Sequence, residues 1–521
     1  MRPYGCLWTC GALSLVCGAA TSASAQLRIA AWNLSGYDGS GGRDPSFKTA
    51  IYGSYQGRSM SPDAFLAQEV LSAAGASAML SVLNTAAGSP GDWAMAPFIA
   101  GPDTNLAFYY RAGKVQFLGQ TLVLAGGNTN GAPRDIRRYD VRLVGYTSGG
   151  ATLALYGDHM KAGSTQSDQD RRLIEATAIR ANANALPAGW QFLLAGDLNM
   201  QASTQAAYQQ LIGSQVNNRG QFLDPINSPG AWNANSAFRF LHTQAPGGTP
   251  SITGGMDDRF DFILLATTLG DTSGFDYIGS PAIPYSTSTW NDPNHSFRAW
   301  GQDGTYFNSS MNPASNAMVG PVVGAAIKAT CDADQYGGHL PVFLDLRVPP
   351  EVGSPGVIDF GEVPQNSLAL QTLIVTNDGD VARWTAAGIA TLNYTLAAST
   401  GFTAPAGAFQ ANPGASGNSH FITMPTANLG PVSGTVTINS NSPDEPARIV
   451  LLVGSVIPVA CYANCDESTT APVLNVNDFT CFLNRYAAGD SYANCDNSTI
   501  APILNVNDFA CFLNLYAQGC R

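Results

Sequence analysis

The chain has 521 residues, of which 45% are hydrophobic and 12% charged, with a formal net charge of −12. That length suits about three domains of roughly 150 residues, and the apolar share excludes wholesale disorder. The low charge excludes a chain built of long solvated helices, and the acidic balance excludes a charge-driven grip on duplex DNA.

In chain order, Arg2 precedes an apolar stretch from Cys10 to Ala20 and then Ala23-Ser24-Ala25. This order predicts a signal peptide over 1–25, a mature start at Gln26, and a secreted or cell-surface protein. No later segment has 18 uninterrupted apolar residues, so no transmembrane segment is expected.

Residues 26–348 carry apolar runs separated by Gly, Asn and Ser loops, and the runs repeatedly end on polar residues. "LRIAAW" leads to Asn33, "AFLAQ" to Glu69, "LALYGD" to His159, and "FLLAG" to Asp197 and Asn199. Asp261 opens "FILLA", and Gly338-His339 precedes "LPVFLDL". Strands that feed polar groups to one rim are how a rigid scaffold builds a site. A helix is expected from about Asp168 to Leu186, with Ser167 and Asp170 as its capping box. Arg134, Arg137 and Arg138 suit either contact with backbone phosphates or a solvated face. His242 and His295 read as structural.

Pro349-Pro350 and Gly353-Ser354-Pro355-Gly356 form a linker, followed to residue 457 by short alternating segments such as "TVTI" and "IVLLV". The expected domains are 26–348, 349–457 and 458–521. His420, in the middle one, reads as a surface residue.

The last domain repeats with a period of 30: "YANCDESTTAPVLNVNDFTCFLNRYAAG" is matched by "YANCDNSTIAPILNVNDFACFLNLYAQG". Phe479, Phe482, Leu483 and Tyr486 share one helix face, with Asp478 expected as N-cap and Gly489 as terminator. The second unit repeats this with Asp508 and Gly519. Oxygen-rich loops precede the helices: Asn464, Asp466, Ser468, Asn475 and Asp478, then Asn494, Asp496, Ser498, Asn505 and Asp508. Hard oxygen donors before a helix suit Ca²⁺, while a disulfide-held helix pair without metal fits the same residues. Six clustered cysteines predict a stapled module.

"AAWNLSG", "FLAQEV", "GDHMKAG", "AGDLNM", "DDRFDFILL" and "GGHLPVFLDL" together resemble the endonuclease/exonuclease/phosphatase superfamily, over about Leu27 to Val348. The resemblance implies an α/β fold, a four-layer α/β sandwich. It also implies a divalent-metal-dependent phosphoric ester hydrolase using Mg²⁺ or Mn²⁺, most directly a nuclease acting on nucleic-acid phosphodiesters. Glu69 would bind the metal with Asn33 in support, and Asp197 and Asn199 would hold the attacking water and the phosphate. His159 would contact the scissile phosphate or protonate the leaving group, and Asp261 would orient His339. Gly338 stands where the family has an aspartate, for which Asp332 or Asp334 are candidate substitutes.

Residues 357–457 resemble the immunoglobulin-like domains of bacterial surface proteins, implying an all-β spacer. The tail resembles dockerin-type modules in a cysteine-containing variety, which implies Ca²⁺ and a protein partner. For the tail, the pairing Cys465–Cys481, Cys495–Cys511 and Cys461–Cys520 is expected. Two alternatives stand beside the nuclease: a phosphatase or phospholipid phosphodiesterase of the same superfamily, or a catalytically decayed surface-binding protein.

Overall fold

The computed structural model describes residues 26–247, 255–331 and 337–520. The expected signal peptide over 1–25 and the candidates Asp332 and Asp334 lie outside the described residues.

The apolar runs of the first region become strands: β1 (Leu27–Tyr37), β2 (Ala64–Val70), β3 (Trp93–Met95), β4 (Asn105–Arg111), β5 (Val115–Leu124) and β6 (Ile136–Leu143). They continue with β7 (Thr152–His159), β8 (Gln191–Asp197), β9 (Phe222–Leu223), β10 (Asp261–Ala266), β11 (Asp276–Tyr277), β12 (Arg298–Ala299) and β13 (Val342–Arg347). Among the described residues these form two sheets, ordered β11-β13-β1-β2-β4-β3 with β12 on β13, and β5-β6-β7-β8-β10-β9. β7 is buried along its whole length, as expected of a central strand covered on both faces.

Between the sheets, Leu27, Ile29, Leu66 and Phe108 share one core with Tyr139, Leu155 and Leu194. The rings of Phe108 and Tyr139 stack across the gap at 5.0 Å. The other face of the first sheet (Ala30, Trp32, Phe65) packs on α1 (Asp44–Tyr52), α2 (Ala73–Thr85) and α5 (Gly320–Cys331). The second sheet carries α3 (Gln166–Asn184) and α4 (Ala206–Ile212), through Ile179, Ala183 and Leu211. The layers are therefore helix, sheet, sheet, helix. Each buried Leu or Phe in them contributes about 1.5–3 kcal/mol.

The cap of α3 differs from the expectation at Ser167 and Asp170. Thr165 accepts a hydrogen bond from the Asp168 N–H, and Asp168 answers the Thr165 N–H. The helix thus starts two residues earlier, because Thr165 is the residue still in extended geometry.

Beyond the linker, β14 (Val352–Gly353), β16 (Ala369–Asn377) and β19 (Asn418–Met424) form one sheet. β15 (Val357–Pro364), β21 (Ala447–Ile457), β20 (Gly430–Ser440), β17 (Leu392–Ala398) and β18 (Ala408–Ala411) form the other, in that order. They enclose a core around Leu373, Ile422, Val436 and Val450. His420 is buried rather than on the surface. Its position opposite Leu373 turns the ring inward onto Phe409 at 4.4 Å, where Tyr394 Oη lies 2.7 Å from Nε2.

The β-sandwich is joined firmly to the first region. Trp384, fully buried at the end of the short helix α6 (Val381–Trp384), lies under the Lys114 ammonium at 4.4 Å. Asp444 accepts hydrogen bonds from the backbone N–H groups of Thr147 and Ser148, and the Tyr146 hydroxyl donates to Pro349 O. Val348 forms a bridge with Ile389.

The repeats fold as α7 (Val476–Ala487) and α8 (Val506–Gln518), whose Phe482 and Phe512 rings stack at 4.1 Å. So small a core needs staples, and three disulfides supply them: Cys461–Cys520, Cys465–Cys481 and Cys495–Cys511. The N-caps are Asn475 and Asn505, not Asp478 and Asp508. The aspartates stand at the third helical position as partners in capping boxes, where their carboxylates satisfy orphan N–H groups. Ala488 rather than Gly489 ends α7, while Gly519 ends α8 as expected.

Candidate active site

Strand register explains why distant residues meet. His159 pairs with Asp197 across the parallel β7–β8 ladder, and Asp261 pairs with the same Asp197 across antiparallel β10–β8. Directly paired residues point to one face, so the three side chains stand abreast. The ladder needs Gly196, since a Cβ there would lie 2.0 Å from the Asp158 carbonyl oxygen. From the opposite sheet, β1 and β2 lose regular register just after Asn33 and Ala67. Such irregularities re-aim side chains. Glu69 and Asn199 both adopt positive φ, at 56° and 49°, a left-handed conformation that non-glycine residues hold at a cost of about 1–3 kcal/mol.

All seven residues expected at the site come together. The Asn33 amide donates to Glu69 Oε1 at 3.0 Å and to Asp197 Oδ2 at 3.1 Å. His159 Nε2 lies 3.3 Å from Asp197 Oδ2, and its Nδ1 lies 3.8 Å from Glu69 Oε1. His339 Nδ1 meets Asp261 Oδ2 at 2.8 Å, and its Nε2 stands 3.6 Å from Asp197 Oδ2. Asn199 donates through its backbone N–H to Asp197 Oδ1 and through its amide to Met160 O. Its side chain therefore braces the loop.

The electrostatics separate the two histidines. Burial would lower His339, but Asp261 and Asp197 outweigh it and hold the imidazole up at about 10. His339 is thus an imidazolium at neutral pH. Burial, with Arg134 and His339 nearby, pushes His159 well below its usual value, so it is neutral. Burial pushes Asp197 up to about 7 against the pull of His339, with Asp261 and Glu69 adding to the rise. A carboxylate near neutrality, an imidazolium and a neutral imidazole are the tools of proton transfer and charge stabilisation.

Several contributors were not anticipated. The Trp32 indole donates to His339 O at 2.8 Å, and the Cys331 thiol donates to the same oxygen at 3.7 Å. Thr243 Oγ1 accepts from the Asp261 N–H, and the Gln244 amide lies 3.3 Å from His339 Nε2. Trp32 reads as core in the sequence, and 243–244 sit in a loop without periodicity. Behind the row, Asp158 is fully buried with both carboxyl oxygens unpartnered, and burial pushes its neighbour Glu175 up to about 7.

The arginines serve other purposes. Arg137 pairs with Asp135 and Arg138 with Asp140, while Arg134 binds Asp103, Thr104 and the carbonyls of His159 and Met160. His242 is buried and shares a hydrogen bond with Trp232 O, and His295 lies between the Tyr277 and Tyr285 rings, as structural residues do.

No group of three or more His, Cys, Asp or Glu spaced to hold an ion occurs among the described residues. The site nevertheless offers Glu69, whose side chain is 23% exposed where Asp197 is 3% exposed. N–H donors from Asn33 and Gly36 fix its two oxygens. One oriented carboxylate beside an amide fits Mg²⁺, which keeps waters and needs only one or two carboxylates. In the tail, Asn464 Oδ1 and Asp466 Oδ1 accept from the Ser468 N–H, and Asp478 accepts from the N–H groups of Asp466 and Asn475. Asn494, Asp496, Ser498, Asn505 and Asp508 repeat this. Each loop is thus organised by its own hydrogen bonds.

No family model and no curated protein matches the chain. Among solved structures it is similar to D. rerio TDP2 complexed with a single-strand DNA product, at 15% identity and TM-score 0.35, covering 62% of this chain and 99% of that one. It is similar to an endonuclease/exonuclease/phosphatase family protein from Bacteroides thetaiotaomicron, at 14% identity and TM-score 0.33, covering 61% and 94%. A beta toxin from Staphylococcus aureus is similar at 10% identity and TM-score 0.35, covering 61% and 99%. What the site can do is read from its own residues.

Proposed function

We propose that the chain is an exported, divalent-metal-dependent phosphodiesterase of the endonuclease/exonuclease/phosphatase type. The observation that carries this reading is the row of His159, Asp197 and Asp261, closed over by His339 and facing Glu69 and Asn33.

Glu69 would hold the metal, with Asn33 in support. When bound, a hard divalent ion neutralises charge on the phosphoryl oxygens. Asp197, near neutrality and hydrogen-bonded by Asn33 and Asn199, accepts a proton from the attacking water. The water oxygen forms its bond to phosphorus as the ester oxygen departs on the opposite side; Asp197 keeps the water's proton until it passes to solvent, and the leaving oxygen takes its proton from solvent water. His339, held charged by Asp261, directs Nε2–H at the phosphoryl oxygen where negative charge gathers. His159, being neutral, contacts the phosphate and Asp197 rather than storing a proton.

Nucleic acid comes first as substrate because of the sequence resemblance. With Arg134, Arg137 and Arg138 engaged, recognition centres on the scissile phosphate rather than on a long electrostatic track. Export is supported by the residues 1–25 pattern and by three disulfides, which persist in oxidising compartments. For the tail we keep calcium binding and a protein partner as proposals, tested by whether chelation lowers its melting temperature.

The test is hydrolysis of DNA, RNA, a nitrophenyl diester and a choline phospholipid with Mg²⁺, Mn²⁺ or Ca²⁺. EDTA-sensitive cleavage of a diester is expected. His339→Ala and His159→Ala should each lose at least about 100-fold. A purified, folded protein that cleaves none of these substrates would refute the proposal.

A further inference from the structure

α3 buries two charged residues on the face that should be apolar. Arg172 and Glu175, three positions apart, share that face with Ala176, Ile179 and Ala183, and both are fully buried. Burying a charge is costly unless hydrogen bonds compensate it, so these two must be compensated by what they touch. Both hold the backbone of Lys161, two residues beyond His159. Glu175 Oε2 accepts the Lys161 N–H at 3.1 Å, while Arg172 Nη1 donates to Lys161 O at 2.6 Å and to Gly163 O at 2.8 Å. The other arm of Arg172, Nη2, reaches Gln205 Oε1 at 3.3 Å.

That grip is passed on to the site. β7 ends at His159, and the Met160 N–H just beyond it donates to Asp197 O at 2.9 Å. Met160 O accepts from the Asn199 amide at 3.2 Å and, with His159 O, from Arg134 Nη1. The Asn199 backbone N–H in turn donates to Asp197 Oδ1 at 3.1 Å. Segment 160–163 therefore links α3 on one side to His159, Asp197 and Asn199 on the other, and side chains rather than a strand ladder hold its far end.

Building on the phosphodiesterase reading, we propose that Arg172 and Glu175 are positioning residues: by gripping both backbone groups of Lys161 they fix segment 160–163, and with it the place of His159 against Asp197. They act through His159 and Asn199 rather than on the phosphate. The role does not depend on the charge of Glu175, because a carboxyl oxygen accepts a hydrogen bond whether or not the group is ionised. Glu175→Gln keeps that acceptor and Glu175→Met removes it.

The experiment uses the full mature chain with a nitrophenyl phosphodiester and Mg²⁺. In Glu175→Met kcat should fall by about tenfold or more while KM stays within about threefold, the pattern of lost alignment in the reaction step. Glu175→Gln should keep kcat within about threefold of the unaltered protein. Arg172→Lys keeps the charge but not the fork that spans two carbonyls, so its kcat should also fall by about tenfold. In the protein without substrate, NMR should show the Lys161 amide exchanging about tenfold faster or more in Glu175→Met. The His159 ring signals should shift in the same variant, and neither change should occur in Glu175→Gln. Unchanged kcat in Glu175→Met, or a fall in Glu175→Gln as large as in Glu175→Met, overturns the proposal. So do His159 signals that stay in place in Glu175→Met. If Glu175→Met fails to fold by circular dichroism, Arg172→Lys decides, and an unchanged kcat there overturns the proposal. If the unaltered protein cleaves no phosphodiester, the phosphodiesterase reading fails, and the Lys161 and His159 signals alone decide the positioning role.

Discussion

Replacing Gly338 by aspartate would install the residue that the resembling family carries before its last histidine, and the structure says it will harm the protein. Gly338 has φ of +68°, and a Cβ there would lie 2.6 Å from Cys331 Cβ and 2.7 Å from its sulfur. The left-handed backbone costs a residue bearing a Cβ about 1–2 kcal/mol, and forcing an atom into a filled core costs about 1–3 kcal/mol. Together these predict a loss of about 2–5 kcal/mol, roughly 5–15 °C in Tm for a domain of this size. Because Cys331 donates to the carbonyl of His339, pushing it aside also moves the histidine, so kcat/KM should fall by at least about tenfold. The assays are differential scanning calorimetry and diester hydrolysis, with Gly338→Ala as the control for strain without charge. A Gly338→Asp protein with unchanged Tm and higher activity would refute the reasoning.

Three further outcomes are expected. Asp261→Asn should lower kcat by about 100-fold or more as His339 loses its charged partner. Its stability cost has a pH signature. The folded-state value of His339 lies near 10, above the ordinary 6.5, so the stabilisation is complete below pH 6.5 and lost as pH rises through 10. Denaturant titrations should therefore show the largest deficit at pH 6, and an equal deficit at all pH values would contradict this. Asp197→Asn should abolish activity yet stabilise the metal-free protein by about 1–3 kcal/mol at pH 8. Burial raises this carboxyl from 3.8 to about 7, so its ionised form costs stability above that range, and the gain should vanish towards pH 4. Cys461→Ser with Cys520→Ser opens a loop spanning 59 residues. By loop entropy this costs the tail about 4 kcal/mol, readable as a lower, earlier melting transition.

Asn33, Glu69, His159, Asp197, Asp261 and His339 were legible because each lies at or beside the end of an apolar run, and strands of packed sheets deliver such ends to one rim. What linear order does not contain is register. The abreast placement of His159, Asp197 and Asp261 depends on which strands neighbour β8. Gln244 and Thr243 were invisible for a related reason: they lie in a loop segment whose partners, Asp258 and His339, are brought to it only by the fold. His420 was misread because a lone histidine in an alternating strand is assigned to a face only once the strand opposite is known. Gly338 stands out in the sequence as a departure, but the space its Cβ would need is filled by Cys331, a contact that linear order does not show. The Asp478 and Asp508 caps were misplaced by three residues because asparagine at 475 and 505 caps equally well.

β13 begins just beyond His339 and ends at Arg347, next to Val348 and Pro349, where the sandwich is clasped. A six-residue strand is about 20 Å long, so the His339 end of β13 and the clasp lie at opposite ends of that strand. Under the proposed function, an anchor gripping the chain beyond Pro349 would hold it at the end of β13 away from His339, so that tethering and turnover would be uncoupled in space and a polymeric diester could reach the cleft without displacing the anchor.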